Sequence, residues 1–245
     1  MNLFYFLGFW WELLEEERKV MVLSLCNLHA NKMLLEAVQM LYTVNHQLYG
    51  DREWCEEAPK KGYKPTHAKH PITVWAGQMG GNWFALLDYA DLLCGEFVRR
   101  FRGGNRSFQH KCARHVAWLR ANHHPSLDES REQHCEPPPC VGDVYREVDV
   151  EPLRPYLQHP LEQRQQTETV LRYRLYYVLD KLHRQGMMNK KGGGYWLMGP
   201  THYQRGERKG QVKGWKRDRM FIPPDWLIHA YNSVNTLDKL VPESD

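Results

Sequence analysis

Apolar positions recur with a helical period through much of the chain, and the pattern is sharpest from Leu28 to Tyr49, LHANKMLLEAVQMLYTVNHQLY. At about 100° per residue, His29, Lys32, Glu36, Gln39 and Thr43 fall on one narrow arc. Met33, Leu34, Leu35, Val38, Met40, Leu41, Tyr42, Val44 and Leu48 fill most of the remainder. A helix that is apolar nearly all round is expected to be buried, so its polar arc should face a cleft, another polar element or a bound partner. Lys32 and Glu36, one turn apart, are the leading site candidates on that arc. The alternative is a solvated ion pair on the helix's wet face, worth about 0.2–0.5 kcal/mol.

The same pattern predicts the other elements. Residues 2–7 (NLFYFL) suit a short strand or a buried arm, Trp10 and Trp11 suit packing against the body, and Glu12 to Val22 suits a helix. Residues 51–71 carry charges with Pro59, Pro65 and Pro71 and form a loop ending in YKPTHAKHP. Ile72 to about Phe101 is helical, with a break at Gly80-Gly81 and Asn82 as N-cap. A further helix covers Phe108 to Ala121, and the seven prolines between Asn122 and Pro160 predict a long irregular connection. Thr167 to Gln185 is a helix capped by Thr167 and stopped by Gly186. Residues 186–221 are glycine-rich and basic, with short strands at Tyr195 to Met198 and Gln211 to Trp215; a last helix runs from Asp225 to about Leu240.

No internal repeat is present. The expected fold is mainly α: a compact helical domain around a central buried helix, with long irregular connections and room for a short β hairpin in the C-terminal part. Residues 1–121 make the helical core that carries the candidate site and 122–160 the Pro-rich connection. Residues 161–245 supply C-terminal helices and a basic Gly-rich loop, packed on the core.

Composition adds little until its distribution is considered. The 245 residues are 42% hydrophobic and 25% charged with a formal charge of +4, values of an ordinary globular protein. Eight basic residues lie between Val98 and Arg131 against Asp128 and Glu129, and nine between Gly186 and Arg219 against Glu207 and Asp218. Interleaved with aromatics and glycines, such segments suit a phosphate backbone and unstacked bases; they equally suit a solubilising basic face. Six cysteines at irregular spacing point to a reducing compartment. The apolar opening lacks a basic start and a small-residue cleavage site, and it is too short to span a bilayer. No membrane partner is expected, and the expected location is the cytoplasm.

Thirteen His and six Cys raise the question of a metal. Cys26 with His29, His110 with Cys112 and His115, and His134 with Cys135 and Cys140 bring ligand types together, but none repeats a paired CxxC or HxxxH spacing. No metal ligands are assigned on that basis. Walker, GxGxxG, GxSxG and HExxH motifs are all missing from the sequence, and no cofactor is expected.

The striped helix, the loop bearing Gly62, Tyr63, His70 and Pro71, and the helix ending in EFVRRF together resemble the layout of the endonuclease V-type pyrimidine-dimer DNA glycosylases. The chain is also similar to a group of phage proteins that open with MN, an aromatic-rich strand and a KMxxExxQxL helix. The resemblance covers roughly residues 1–111, with a weaker echo in YRLYY and PPDW. In those glycosylases a His precedes the catalytic Glu by seven residues on the first helix, as His29 precedes Glu36 here. The family places arginines where this chain has Leu35 and Gln39.

The resemblance implies imine chemistry on double-stranded DNA, in the host cytoplasm if the protein is viral. A neutral chain-terminal amine, with pKa about 7.7–8.0, attacks the sugar C1′. Glu36 then stabilises the developing positive charge and manages protons, while His29 and Gln39 orient the site. An initiator Met is usually retained before Asn2, so the nucleophile is the amine of Met1 or, in its place, Lys32. Phosphate contacts would fall to Lys64, His67, His70, Arg99, Arg100 and Lys111, although His67 and His70 also suit helix capping. Three other functions remain open: a pyrimidine-hypermodifying group transferase, in which Lys32 and Glu36 hold a polar or phosphorylated group; a non-catalytic nucleic-acid-binding protein; and a small-molecule enzyme acting on nucleotides.

Overall fold

The long apolar helix is the axis of the molecule. In the computed structural model, which describes residues 6, 10–102, 107–160, 162, 165–187, 200–202, 212–215 and 224–241, it spans Asn27–Tyr49 as α2. Gly50 ends it in the left-handed region at φ 80°, where its N–H bonds to His46 O. Ahead of it, a 3₁₀ turn at Trp10–Glu12 leads into α1 (Glu15–Leu23), whose first turn is closed by Leu14 N–H donating to Glu17 Oε2 at 2.7 Å. The helix expected from Glu12 therefore begins three residues later.

After a loop with two 3₁₀ turns come α3 (Pro71–Gln78) and α4 (Gly80–Arg102). The break between them falls at Met79, which is extended at φ −148° and ψ 142°. The two glycines are required by close packing. A Cβ on Gly80 would stand 1.8 Å from Leu127 O, and one on Gly81 would stand 2.3 Å from Gln133 O. Asn82 is not the N-cap. Its amide ties the break to a distant segment, donating to Trp75 O at 2.9 Å and accepting from Cys135 N–H at 2.9 Å.

α5 (Cys112–Ala121) starts four residues later than Phe108 predicted, because the His110 ring turns back to accept from Cys112 N–H at 3.1 Å. α4 lies along α2; α3 and α5 flank both, and α1 packs on α4. The Pro-rich stretch is more ordered than its sequence implied. It holds three short helices, α6 (Ser126–Glu129), α7 (Asp143–Glu147) and α8 (Arg154–Leu157), and buries Leu127, Val141, Tyr145, Val150, Leu153 and Leu157. These apolar residues are spaced too irregularly to show a period.

α9 (Glu168–Leu175) is capped by Thr167, whose hydroxyl accepts from Val170 N–H at 3.3 Å, and the winding then becomes π-helical over Tyr176–Arg184. Gly186 ends it at φ 62°. Two strands, β1 (Pro200–His202) and β2 (Val212–Trp215), pair antiparallel with Pro200 opposite Trp215. The second matches the expected Gln211–Trp215 strand, whereas Tyr195–Met198 lies outside the described residues. The last helix divides at Ser233 into α10 (Asp225–Asn232) and α11 (Val234–Leu240). One hydrophobic cluster contains residues from Phe6 through Val241, so all three stretches of the chain contribute to the same core. The class is mainly α, as the periodicity predicted.

Candidate active site

The polar arc of α2 divides on folding. His29, Glu36 and Thr43, spaced by seven, are buried, while Lys32 is exposed and Gln39 half-buried. His29 meets the π-helical segment. The Tyr177 hydroxyl accepts from Cys26 N–H at 2.7 Å and lies 3.1 Å from His29 Nδ1, so its own proton points to that nitrogen. Burial, followed by the positive charges of Lys181 and Lys32, pushes the His29 pKa down to about 4. The ring is therefore neutral at pH 7, with Nδ1 as acceptor.

Lys32 and Glu36 form the predicted pair, with Nζ 3.4 Å from Oε1. Their environments are opposite: the Lys32 side chain is 65% exposed and that of Glu36 only 10%. Leu28 and Leu35, one turn to either side of Lys32, are also exposed, so the amine stands on an apolar surface. Glu36 Oε2 is buried and has no hydrogen-bond partner among the described residues. The Tyr89 hydroxyl and Trp10 Nε1 are two of the six other buried polar atoms that share that condition. The rings of Trp10 and Tyr89 meet edge to face with centroids 6.1 Å apart. Burial, and then the charge of Glu36, push the Tyr89 hydroxyl pKa far up, so it stays protonated.

An acceptor, a hydroxyl and an N–H donor thus lie in one buried neighbourhood behind the exposed amine. Tyr89 and Trp10 were not foreseen as site residues, and no local signal marks them. Tyr89 lies between Asp88 and Asp91 on α4, and Trp10 was expected only to pack.

Thr43 anchors a loop instead of facing a cleft. Its hydroxyl lies 2.8 Å from Gln39 O and 2.9 Å from Thr66 O, and it accepts from Thr66 N–H at 3.0 Å. Further along α2, His46 Nδ1 accepts from Trp54 Nε1–H at 3.1 Å, which leaves Nε2–H to donate to Tyr63 O at 2.9 Å. Tyr42 is buried against His115, with its hydroxyl 3.0 Å from Nδ1, and burial lowers the His115 pKa. Gly62 closes this aromatic corner at φ 67°, where a Cβ would meet the Tyr42 ring at 2.6 Å.

The residues expected to touch phosphate are scattered in environment. Lys64, His67 and Lys111 are exposed. His70 is the N-cap of α3, accepting from Ile72 N–H at 3.2 Å, which is the capping alternative. Arg99 is exposed but folded onto Glu96 through two 2.6 Å bonds.

Arg100 departs most from the expectation of a phosphate contact: it is 1% exposed, and its guanidinium donates to Glu96 and to the carbonyls of Val22, Leu23 and Leu25. These carbonyls lie at and just beyond the end of α1, where a cation also complements the helix dipole. Arg100 thus closes α1 onto α4. Sequence position alone does not separate it from Arg99, because adjacent helical residues point about 100° apart. Met1 and Asn2 lie outside the described residues.

A groove of about 830 Å³ runs between α1, α4 and α5, lined by Lys19, Val22, Leu92, Cys94 and Arg99 among others. Of the predicted site residues only Arg99 borders it. Burial raises the Cys94 thiol to about 12, so it is no nucleophile at neutral pH. Among the described residues no group of three or more His, Cys, Asp or Glu is placed to hold a metal ion, and no helix is long and apolar enough to cross a membrane.

No protein-family model matches the chain, and no curated protein or solved structure was found similar to it. What the arrangement can do must be judged from its chemistry. An accessible primary amine, a shielded carboxylate within 3.4 Å and a neutral imidazole one turn before the amine make a set suited to nucleophilic attack with proton management.

Proposed function

We propose that the protein is a DNA-processing enzyme of the glycosylase/lyase type, acting on a damaged or modified base in duplex DNA through an imine. One observation carries this reading: Glu36 is buried with one oxygen toward the exposed Lys32 amine and the other without a hydrogen-bond partner among the described residues. Leaving a buried polar atom unsatisfied costs about 1–3 kcal/mol, and more when it is charged. Native folds keep few such atoms, and those they keep call for a reason such as catalysis.

In the proposed step a neutral amine nitrogen bonds to the sugar C1′ while the bond from C1′ to the base breaks. The base leaves with that electron pair and takes up a proton. Opening of the sugar ring then gives a protonated imine, whose charge the Glu36 carboxylate offsets. Lys32 Nζ is the amine beside Glu36, and the amine of Met1 is the alternative that the resemblance implies. Glu36 Oε1 takes the proton that the Lys32 ammonium must lose before attack and passes it to the departing base, which restores the carboxylate that faces the imine. Neutral His29 keeps a further charge out of the site.

Borohydride trapping on duplex DNA carrying an abasic site or a thymine dimer tests the proposal. The expected result is a covalent adduct, lost in Glu36→Gln, that peptide mass spectrometry maps to Lys32 or to Met1. No adduct, or an adduct undiminished in both Glu36→Gln and Lys32→Ala, overturns it.

Stability supplies a second readout. Replacing a poorly satisfied buried charge by an apolar residue of similar volume is often neutral or stabilising, by about 1–4 kcal/mol. Glu36→Met is therefore expected to unfold at equal or higher urea concentration than wild type while failing to trap. A clear loss of stability in Glu36→Met would assign Glu36 to the fold instead.

A further inference from the structure

Beyond α2, the loop from Lys60 to Lys69 combines three features that ordinary surface loops do not share. The first is charge. Lys60, Lys61, Lys64, His67 and Lys69 are all exposed, and the sequence contains no acidic residue between Glu57 and Asp88. Lys61 is neutralised by Glu56 at 2.6 Å, but Lys60, Lys64 and Lys69 have no acidic partner among the described residues. The second is backbone strain. Lys60, Lys61 and His67 sit in the left-handed region at φ 53°, 59° and 53°, where residues other than glycine pay a cost.

The third feature explains how the strain is held. The loop backbone is pinned to its surroundings at three points while the lysine side chains are exposed. Arg52 donates to Lys61 O at 3.1 Å, His46 Nε2 donates to Tyr63 O, and the Thr43 hydroxyl engages both the N–H and C=O of Thr66. Gly62, packed on the Tyr42 ring, closes the fold of the loop. The fold therefore maintains a costly backbone conformation that presents exposed lysines at set positions along the loop.

We infer that this loop is a preorganised docking surface for the phosphodiester backbone of duplex DNA, with Lys60, Lys64 and Lys69 as the phosphate contacts. The inference rests on the proposed function for the identity of its partner and adds the surface that positions it. The reasoning is charge complementarity joined to rigidity. A polyanion releases condensed counterions when lysines replace them, and a loop backbone already ordered by the fold loses less entropy on binding. Arg100, which sequence position alone had offered for this task, is spent inside the molecule.

The test is anisotropy titration of the full chain with a fluorescent, undamaged 20-base-pair duplex at several salt concentrations. Each phosphate contact contributes about 0.9 to the slope of log K against log [salt]. The triple variant Lys60→Gln, Lys64→Gln and Lys69→Gln is expected to lower that slope by about 2–3, with an unchanged circular dichroism spectrum because all three side chains are exposed. Thr43→Val keeps every charge but releases Thr66; it is expected to weaken binding at constant slope. Absence of salt-dependent binding by wild type, or the wild-type slope in the triple variant, overturns the inference, and undiminished affinity in Thr43→Val overturns the preorganisation within it. The two proposals fail separately: binding with the expected slope but no trapped adduct removes the imine chemistry alone, whereas trapping with an unchanged slope in the triple variant removes the surface alone.

Discussion

His29 is held neutral by its surroundings, and that has a cost that depends on pH. Its folded pKa of about 4 lies below the value of about 6.5 expected for an exposed imidazole. Between these values the unfolded chain binds the proton and the folded chain does not. The stability His29 allows is thus fully present above pH 6.5 and lost as pH falls toward 4, by up to about 3 kcal/mol. His110 and His115, also lowered by burial, act in the same direction. His29→Gln removes one titration while its amide oxygen can still accept from Tyr177. Urea unfolding from pH 7 to pH 4 is expected to show a shallower loss of stability in this variant, and an unchanged slope would mean that His29 is not held neutral.

At the same scale, the sequence revealed the arc and the Lys32–Glu36 spacing, because helical periodicity is a local property. The division of the arc was not visible. Tyr177, the partner of His29, lies 148 residues away, and Tyr89 belongs to another helix. Which of five polar residues face inward is decided by what packs on them.

At the scale of elements, boundaries were legible where a local device sets them and not where a tertiary contact does. Gly50, Thr167 and Gly186 end or begin helices by their own conformation or side chain. The α3–α4 break was expected from Gly80-Gly81 through backbone freedom, but neither glycine has positive φ. The glycines are there because the segment 127–133 passes over the start of α4. The Ser130 hydroxyl lies 2.8 Å from Gly80 N, and the Ser130 and Gln133 carbonyls lie 3.2 and 3.1 Å from Gly81 N. That segment supplies the cap that Asn82 was expected to provide.

Gly80→Ala would thrust a methyl into Leu127 O and displace that cap. The expected cost is about 1–3 kcal/mol, the usual range for overpacking, with a corresponding fall in Tm. Gly95→Ala is the control, since a Cβ there meets nothing within 4 Å and alanine favours the helix by about 1 kcal/mol. Thermal unfolding of the two variants should therefore move in opposite directions. Equal shifts would remove close approach as the reason for Gly80.

At the scale of the whole molecule, one arginine joins parts that the sequence set in different regions. Arg174 on α9 is fully buried. Its guanidinium donates to Phe6 O at 2.7 Å, to Leu157 O at 2.8 Å and to both oxygens of Glu162 at 2.7 and 2.6 Å, and it stacks 4.6 Å from the Trp226 ring. Phe6, the end of the Pro-rich stretch and α10 therefore meet at a single planar fork, a role that lysine's point charge does not fill. Nothing in YRLYY distinguishes this residue from Arg172, two positions earlier, which makes an ordinary i,i+4 pair with Glu168 at 3.1 Å. Its importance comes from three segments converging on one face of α9, which no window of sequence contains.

Arg174→Leu would leave the Glu162 carboxylate without its cation, with only His159 N–H and the Gln166 amide still donating to it among the described residues, and would take the side-chain donor from two carbonyls. Breaking a buried pair from one side costs about 3–5 kcal/mol, because the remaining charge is stranded. Adding Glu162→Leu removes that charge, so the double variant is expected to be more stable than Arg174→Leu alone. Urea unfolding of the wild type, both single variants and the double variant closes the cycle. A cost under about 1 kcal/mol for Arg174→Leu, within the range of an exposed pair, would show that the three segments are held together by apolar packing without it.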